Sequence, residues 1–205
     1  MKTLIIKFLP SGAYSKTLNL LTAFENAIAF KSEVEVLDLI QSPAPAFTEA
    51  SMAAYYKRNY QKQTLNDQET LLLSQQDALI AQLKSADIVV LAHPLHNFGL
   101  PGPVKQWLDA VMFNDDTFVY GAKAMAGRKA LVLYTSGGRY NADLVNTDYP
   151  NWDTLTQAVK INFGFMGFDD CKVISASLTN PNEFDQNLSQ VTQEINALVH
   201  QWYQA

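Results

Sequence analysis

The chain has 205 residues, of which 48% are hydrophobic and 17% charged, and its formal net charge is −5. This length favours one domain, and the composition is that of an ordinary globular protein rather than a disordered, fibrous or repeat chain. The net negative charge argues against nucleic acid and against an anionic membrane surface as binding partners.

The number of cysteines indicates the cellular compartment. A single cysteine, Cys171, excludes an internal disulfide framework and a cysteine-rich metal cluster, and it is typical of a reducing compartment. The apolar run at the N-terminus is too short for a signal peptide, and no apolar stretch reaches the ~20 residues of a membrane-spanning helix. We therefore expect a cytoplasmic protein, without membrane insertion, that forms a single domain over residues 1–205.

The first half of the chain predicts two strands and two long helices. A continuous apolar run at residues 4–8 is typical of a strand buried on both faces, and Ser15 is placed to cap the helix that follows. Residues 34–38 alternate between apolar and polar, which predicts an edge strand. Residues 41–63 fit neither pattern and predict an extended loop with a short exposed helix. Asn66 with Glu69 resembles a capping pair at the start of the next helix.

The second half predicts three strands and three helices. Apolar runs at residues 88–92 and 130–134 predict buried strands, and residues 171–175 a weaker one. Pro101 and Pro103 suit a first helical turn, where a missing N–H costs nothing. Asn151 is a candidate cap for the helix that Gly167 would end. A last helix carries one apolar stripe, formed by Leu188, Val191, Ile195, Leu198 and Trp202.

Strands that alternate with helices of this length predict right-handed βαβ units and a doubly wound parallel α/β sheet. We expect five strands in the order 2-1-3-4-5, flanked by about five helices. In such a sheet, ligands bind beyond the carboxyl ends of the strands, where the strand order reverses. The loops that follow the strands at this position, and that would form a ligand site, are residues 9–17, 93–101 and 135–140.

The first loop joins a strand to a helix start, where free N–H groups and the helix dipole favour a phosphate. Ser15 and Thr17 add hydroxyl donors, and Lys16 adds a positive charge. A plain helix cap on a surface loop is the alternative. The Walker pattern and the G-x-G-x-x-G pattern are both absent, which argues against hydrolysis of ATP or GTP and against an ordinary dinucleotide fold.

The second and third loops are rich in residues that constrain or free the backbone. Prolines and glycines around His96, Asn97 and Phe98 leave that loop little conformational freedom, and Asn97 offers both a donor and an acceptor to the edge of a flat heterocycle. Gly137 and Gly138 permit close approach of a ligand to the backbone. A tight connection into the next helix and a strand-ending turn are the respective alternatives.

Six segments of the chain together resemble one family of proteins. The segments that carry the resemblance are residues 14–17, 94–101, 104–109, 117–120, 135–138 and 163–167, which follow in the same order over almost the whole chain. They resemble FMN-dependent NAD(P)H azoreductases, which belong to the flavodoxin-like quinone reductase superfamily. The P-x-x-N-F loop at residues 94–98 is the most specific of these segments.

The resemblance implies a flavodoxin-like homodimer that binds FMN at the dimer interface and transfers hydride from NADH or NADPH to quinones or azo compounds by a ping-pong mechanism. By position, it implies that the FMN phosphate is held by Ser15, Lys16 and Thr17. It implies that the flavin ring is lined by Leu95, His96, Asn97 and Phe98, and closed on its far side by Thr135, Gly137 and Gly138. Phe118 and Tyr120 would lie near the substrate pocket.

Two departures from the family pattern concern the site. The family usually has a phosphate-binding serine soon after the first strand, but this chain has Phe8, Leu9 and Pro10 there. At position 96, where a tyrosine is common, this chain has a histidine. His96 is the one residue with a candidate proton role, either toward a reduced quinone or toward the flavin edge, and simple ring packing is its alternative. No metal-ligand spacing and no Ser-His-Asp order occur, which flavin chemistry permits.

Two other functions remain open at the level of sequence. A flavodoxin-type electron carrier would bind FMN at the same loops without turning over small molecules, although such carriers are usually more acidic than this chain. A regulatory module that binds a flavin or nucleotide is the second. Rapid NAD(P)H oxidation on addition of a quinone would favour the enzyme over both.

Overall fold

A computed structural model describes residues 1–138, 140, 153–177 and 181–203, with the backbone alone for residues 181–186. Five parallel strands form one sheet in the order β2-β1-β3-β4-β5, which confirms the predicted topology. The strands are β1 (Lys2–Lys7), β2 (Glu33–Asp38), β3 (Ile88–Pro94), β4 (Lys129–Ser136) and β5 (Asp170–Ser177).

Six α-helices are described, namely the five longer helices that the sequence predicts and the short helix expected in the 41–63 segment. They are α1 (Lys16–Ala27), α2 (Glu49–Tyr55), α3 (Asp67–Ser85), α4 (Gly102–Val111), α5 (Thr154–Met166) and α6 (Pro181–Trp202). Helices α1 and α6 pack on one face of the sheet, and α3, α4 and α5 pack on the other. No described helix combines the length and apolar character needed to cross a bilayer.

The apolar runs explain which strands lie inside. The side chains from Ile88 to Ala92 in β3 are all buried, since helices cover both faces of the central sheet. Val34 and Val36 of β2 are exposed. Strand β2 lies at the edge of the sheet, as the alternating pattern predicts.

Local signals set the helix ends. Asn66 and Glu69 form the predicted capping box, with each side chain accepting a hydrogen bond from the backbone N–H of the other. Gly167 ends α5 at φ +92°, as predicted. The start of α5 is capped by Asp153, which accepts from the Thr156 N–H at 2.9 Å. The candidate cap Asn151 lies outside the described residues.

The 41–63 segment is more deeply packed than the sequence predicts. Helix α2 buries Tyr55, whose ring lies 4.2 Å from that of Phe113, so the expectation of an exposed helix is wrong. Tyr56, its neighbour in sequence, remains 54% exposed and starts a π-helical turn that runs to Tyr60. Short, mixed sequence patterns do not show which face of such a helix meets the core.

Candidate functional site

The three predicted loops meet at the carboxyl edge of the sheet. Phe8 donates its N–H to the carbonyl of Ala92 at 2.9 Å, which joins the ends of β1 and β3. The Leu95 N–H donates to the carbonyl of Thr135 at 2.8 Å, which joins the second loop to the third. Because strand order reverses between β1 and β3, this crevice is the position where ligands bind in open α/β sheets.

The first loop presents a helix start to the crevice. A 3₁₀ turn over Gly12–Tyr14 leads into Ser15, the N-cap of α1, whose hydroxyl makes no capping bond. Ser15 therefore occupies the predicted cap position while its side chain remains available. Lys16 and Thr17 follow in the first turn, where N–H groups have no intrahelical partner. This end of α1 has the donors and the dipole direction that suit a phosphate.

A buried pair of hydroxyls joins the first loop to the third. The Thr17 and Thr135 oxygens are 2.7 Å apart, and both residues are buried. Two hydroxyl groups carry two protons, and their mutual bond uses one. One O–H therefore remains to donate to an oxygen of a bound ligand.

The second loop is a tight hairpin with an unusual backbone. His96 and Gly99 exchange both of their backbone hydrogen bonds, at 3.2 and 2.9 Å, around Asn97 and Phe98. Asn97 has φ +45° and Phe98 has φ +64°, so two consecutive non-glycine residues occupy the left-handed region. Such strain persists where the surrounding structure imposes it and is concentrated at functional sites.

The side chains of the hairpin face different surroundings. Asn97 is exposed, and its amide has no hydrogen-bond partner among the described residues. The Phe98 ring meets that of Tyr140 edge to face at 5.4 Å, and Leu95 is half-buried. The hairpin thus offers a free amide beside an apolar ring.

The two departures from the family pattern contact each other. The rings of Phe8 and His96 meet nearly at right angles, with their centroids 6.0 Å apart. The His96 imidazole is exposed and has no hydrogen-bond partner within the part of the chain that the structure describes. An aromatic side chain at position 8 therefore supports the histidine at position 96 at the mouth of the crevice.

The third loop is a tight turn that packs against the ring of Tyr140. The Ser136 hydroxyl donates to the carbonyl of Gly138 at 2.6 Å and closes a tight turn. A Cβ atom at Gly138 would lie 2.5 Å from the ring of Tyr140, too close for any other residue unless the ring moves. Gly137 precedes it in the same turn.

A second histidine lies beneath these loops. His93 is completely buried at the end of β3, where burial lowers the pKa of its imidazole to about 4. Its Nδ1 lies 3.0 Å from the carbonyl of Pro94, and Nε2 has no partner among the described residues. The ring is therefore neutral, with Nδ1–H as the donor.

The structure does not bring Phe118 and Tyr120 to the same crevice. Both follow α4, which runs away from the carboxyl edge, and both contact Phe165 near the end of α5, at 4.9 and 6.0 Å between ring centroids. The Met125 N–H bonds the Met166 carbonyl nearby, just before β5 begins. These three rings form an aromatic cluster toward the amino edge of the sheet.

Phe165 is not among the site residues that the sequence predicts. Phe163 is buried and Phe165 is 45% exposed, although both stand in the same short apolar segment. Only the helical phase of α5, with neighbours two positions apart on different faces, separates the core residue from the surface residue.

Comparison with known proteins agrees with this geometry. A family model described as flavodoxin-like fold matches residues 1–199. An FMN-dependent NADH:quinone oxidoreductase of Bacillus cereus is 30% identical over 94% of this chain and 95% of its own. The chain belongs to the family of FMN-dependent NADH:quinone oxidoreductases. A member from Shewanella loihica is 31% identical over 97% of this chain and 98% of its own.

Solved structures of azoreductases share the fold. An FMN-dependent NADH-azoreductase from Bacillus anthracis, in complex with FMN, has a TM-score of 0.81 and 26% identity, and the match covers 97% of this chain and 99% of that one. A second azoreductase from Bacillus anthracis has a TM-score of 0.85 at 19% identity, over 98% of this chain and 99% of that one, which supports the fold alone.

The residues of the crevice fit the cofactor of this family. The start of α1, with its free N–H groups and the Ser15 hydroxyl, would suit the phosphate of FMN. The one remaining O–H of the Thr17–Thr135 pair would suit an oxygen of the phosphate or of the ribityl chain, and the strained hairpin would suit the flat ring. The donor set is neutral except for Lys16, as expected where a helix terminus rather than a basic surface faces the phosphate.

Proposed function

We propose that this protein is an FMN-dependent oxidoreductase that transfers hydride from NADH or NADPH to quinones, azo compounds or both, by a ping-pong mechanism. The observation that carries the proposal is the meeting of a helix start, a hydroxyl pair and a strained hairpin at the strand-order reversal. Family membership over nearly the whole chain supports it. We further propose a single domain over residues 1–205 and a cytoplasmic location, in keeping with the lone cysteine.

The proposed binding residues divide by the part of FMN that they meet. The phosphate would be held by Ser15, Lys16 and Thr17. The flavin ring would be lined by Leu95, His96, Asn97 and Phe98. Its far side would be closed by Thr135, Gly137 and Gly138. Bound FMN would supply the redox centre that takes a hydride from the nicotinamide and gives it to the acceptor. The protein holds the reactants in line and excludes water, which is the main contribution of such sites.

His96 is the proposed proton donor. Its imidazole is exposed at the mouth of the crevice, free of hydrogen bonds in the described part of the chain, and steadied by the Phe8 ring. A reduced quinone must gain protons on its oxygens, and histidine is the side chain that most often serves as a general acid.

We propose a homodimer in which each aromatic cluster serves the crevice of the partner. Tyr120 is 71% exposed and Phe165 is 45% exposed, while their own crevice lies at the opposite edge of the sheet. An exposed cluster of large rings is typical of an interface or a ligand site. In a two-fold dimer both crevices would receive the same rings, and Phe118 and Tyr120 would then form the acceptor pocket.

A mixing experiment tests this arrangement. Asn97→Val should damage the crevice and Tyr120→Ala the cluster, so each variant alone should be nearly inactive. After subunit exchange, half of the dimers would be mixed and carry one intact site, and the mixture should regain about one quarter of the wild-type rate. Light scattering that gives a monomer, or a mixture without recovery, would exclude the shared site.

A direct experiment separates the enzyme from the flavodoxin-type carrier. The purified protein should be yellow and release FMN, and NADH oxidation should begin rapidly on addition of a benzoquinone or an azo dye and continue over many turnovers. A carrier would bind FMN equally well and show no sustained turnover with either acceptor. A colourless protein that cannot be reconstituted with FMN would overturn the proposal.

A further inference from the structure

A buried polar contact connects the 41–63 segment to the loop that carries Phe118. Asn59, in the π-helical turn, is only 5% exposed. Its side-chain amide donates to the carbonyl of Asn114 at 2.5 Å and to the carboxylate of Asp116 at 2.9 Å. The Asn114 amide donates in return to the carbonyl of Asn59 at 3.4 Å. The two segments are thus joined by hydrogen bonds in both directions.

The peptide group between Asn114 and Asp115 takes part in two hydrogen bonds, one at its carbonyl and one at its N–H. The Asn114 carbonyl, which accepts from Asn59, belongs to the same peptide plane as the Asp115 N–H. That N–H donates to the carbonyl of Phe118 at 2.8 Å. The Asn59 side chain therefore fixes the orientation of a peptide that in turn holds Phe118, and bonds in such a chain polarise one another.

The peptide needs to be held because its orientation is strained. Asp115 has φ +64°, in the left-handed region that L-residues rarely adopt. Rotation of the 114–115 peptide would bring Asp115 to a negative φ and would relieve this strain. The same rotation would break the bond from Asn59 and the bond to Phe118 together, so the two orientations are distinct states.

Further contacts from the same segment brace the loop. The Asn114 N–H donates to the Tyr55 hydroxyl at 3.0 Å. Arg58 donates two hydrogen bonds to Asp77, at 2.8 and 2.9 Å, and lies 3.6 Å from Asp116. Of these groups, only Asn59 touches the strained peptide from its carbonyl side.

We propose that Asn59 is a positioning residue for the acceptor: it holds the 114–115 peptide in its strained orientation and thereby sets the position of Phe118 and Tyr120. This proposal rests on the proposed function for the role of the two rings. The polar contact itself is independent of that function. The 41–63 segment is then the part of the chain that fixes the acceptor pocket, whereas FMN and the nicotinamide are held by other residues.

Three variants test the proposal. Asn59→Ala removes both donated bonds. Asn59→Ala combined with Asp115→Gly restores the strained orientation in part, because glycine adopts positive φ as readily as negative φ. Gln61→Ala is the matched control, since Gln61 is exposed directly after the same turn, two positions from Asn59, and makes no side-chain hydrogen bond among the described residues.

Two measurements on the FMN-loaded protein are needed. Amide hydrogen exchange at residue 115 reports the peptide orientation without reference to catalysis. Stopped-flow kinetics separates reduction by NADH from reoxidation by a benzoquinone. We expect Asn59→Ala to lose protection at residue 115 and to raise the half-saturating quinone concentration about tenfold, equivalent to ~1.4 kcal/mol. Reduction by NADH should change by less than about twofold. The double variant should recover part of both losses, and Gln61→Ala should match the wild type.

Each outcome decides the proposal. It is overturned if residue 115 stays protected in Asn59→Ala, or if protection is lost while the quinone half-reaction is unchanged, or if both half-reactions fall equally. If the wild type reduces no quinone, the proposed function fails, whereas the exchange measurement still decides whether Asn59 holds the peptide. Should Asn59→Ala fail to fold, Asn59→Ser takes its place, with the same expected direction and a smaller loss.

Discussion

The hydroxyl oxygens of Thr17 and Thr135 lie 2.7 Å apart in a buried hydrogen bond between the first turn of α1 and the end of β4. The bond ties two loops that are 118 positions apart in sequence. It also sets which hydroxyl proton remains for a ligand, so its removal should affect stability and cofactor binding together.

Thr17→Val is therefore expected to weaken FMN binding about tenfold and to lower the free energy of unfolding by about 1–2 kcal/mol, because Thr135 loses its buried partner. Thr17→Ser keeps the hydroxyl and should bind FMN nearly as the wild type does. Flavin fluorescence titration and urea unfolding of the apoprotein measure the two effects. Wild-type FMN affinity in Thr17→Val would contradict a role for the hydroxyl pair.

The proton role of His96 is tested by a change that keeps a ring. His96→Phe preserves an aromatic contact for Phe8 and removes the exchangeable proton. We expect reduction by NADH to stay within about twofold and quinone reduction to slow by about 10²-fold, the usual contribution of a general acid. Stopped-flow measurement of each half-reaction gives the comparison, with His96→Ala to show the cost of losing the ring. Equal loss in both half-reactions would leave only ring packing.

The fold was predictable because its signals are local. The apolar run of β3, the Asn66–Glu69 capping box and the Gly167 stop each act within a few residues of chain. The predicted strand order then places three loops at the ligand-binding edge of the sheet, and this step requires no knowledge of side-chain contacts. This much of the candidate site follows from sequence.

The remaining features depend on contacts between distant segments. No local pattern pairs Thr17 with Thr135, or places the Asn59 amide on the Asn114 carbonyl 55 positions away. The left-handed backbone of Phe98 opposes its own conformational preference and is imposed by the hairpin around it. Tertiary packing likewise buried Tyr55 on a helix that the sequence predicted to be exposed.

The neutral state of His93 predicts an acid-sensitive protein. Burial lowers the pKa of this imidazole from 6.5 to about 4, so the unfolded chain binds a proton between these values that the native protein does not. Stability must then fall as the pH drops from 6.5 toward 4, by roughly 3 kcal/mol at most. His93→Phe removes this contribution. The difference between the two unfolding free energies, measured in urea from pH 7 to pH 4.5, isolates the histidine from the carboxylates that both proteins share.

A wild-type stability that falls no faster than that of His93→Phe over this range would show that the imidazole is protonated in the folded protein.

Two glycines near the end of α5 should respond to alanine in opposite directions. Gly167 has φ +92°, and a Cβ there would lie 2.5 Å from the Lys123 Cα, a backbone atom that cannot turn aside. Gly167→Ala should therefore lower the free energy of unfolding by more than about 2 kcal/mol. Gly164 lies inside α5 with no atom within 4 Å of a built Cβ. Gly164→Ala should raise the free energy of unfolding by about 0.5–1 kcal/mol, because alanine loses less backbone entropy in a helix. Calorimetric unfolding of both variants gives the test, and an unchanged or higher Tm in Gly167→Ala would show that the close approach of Lys123 to Gly167 does not set the end of this helix.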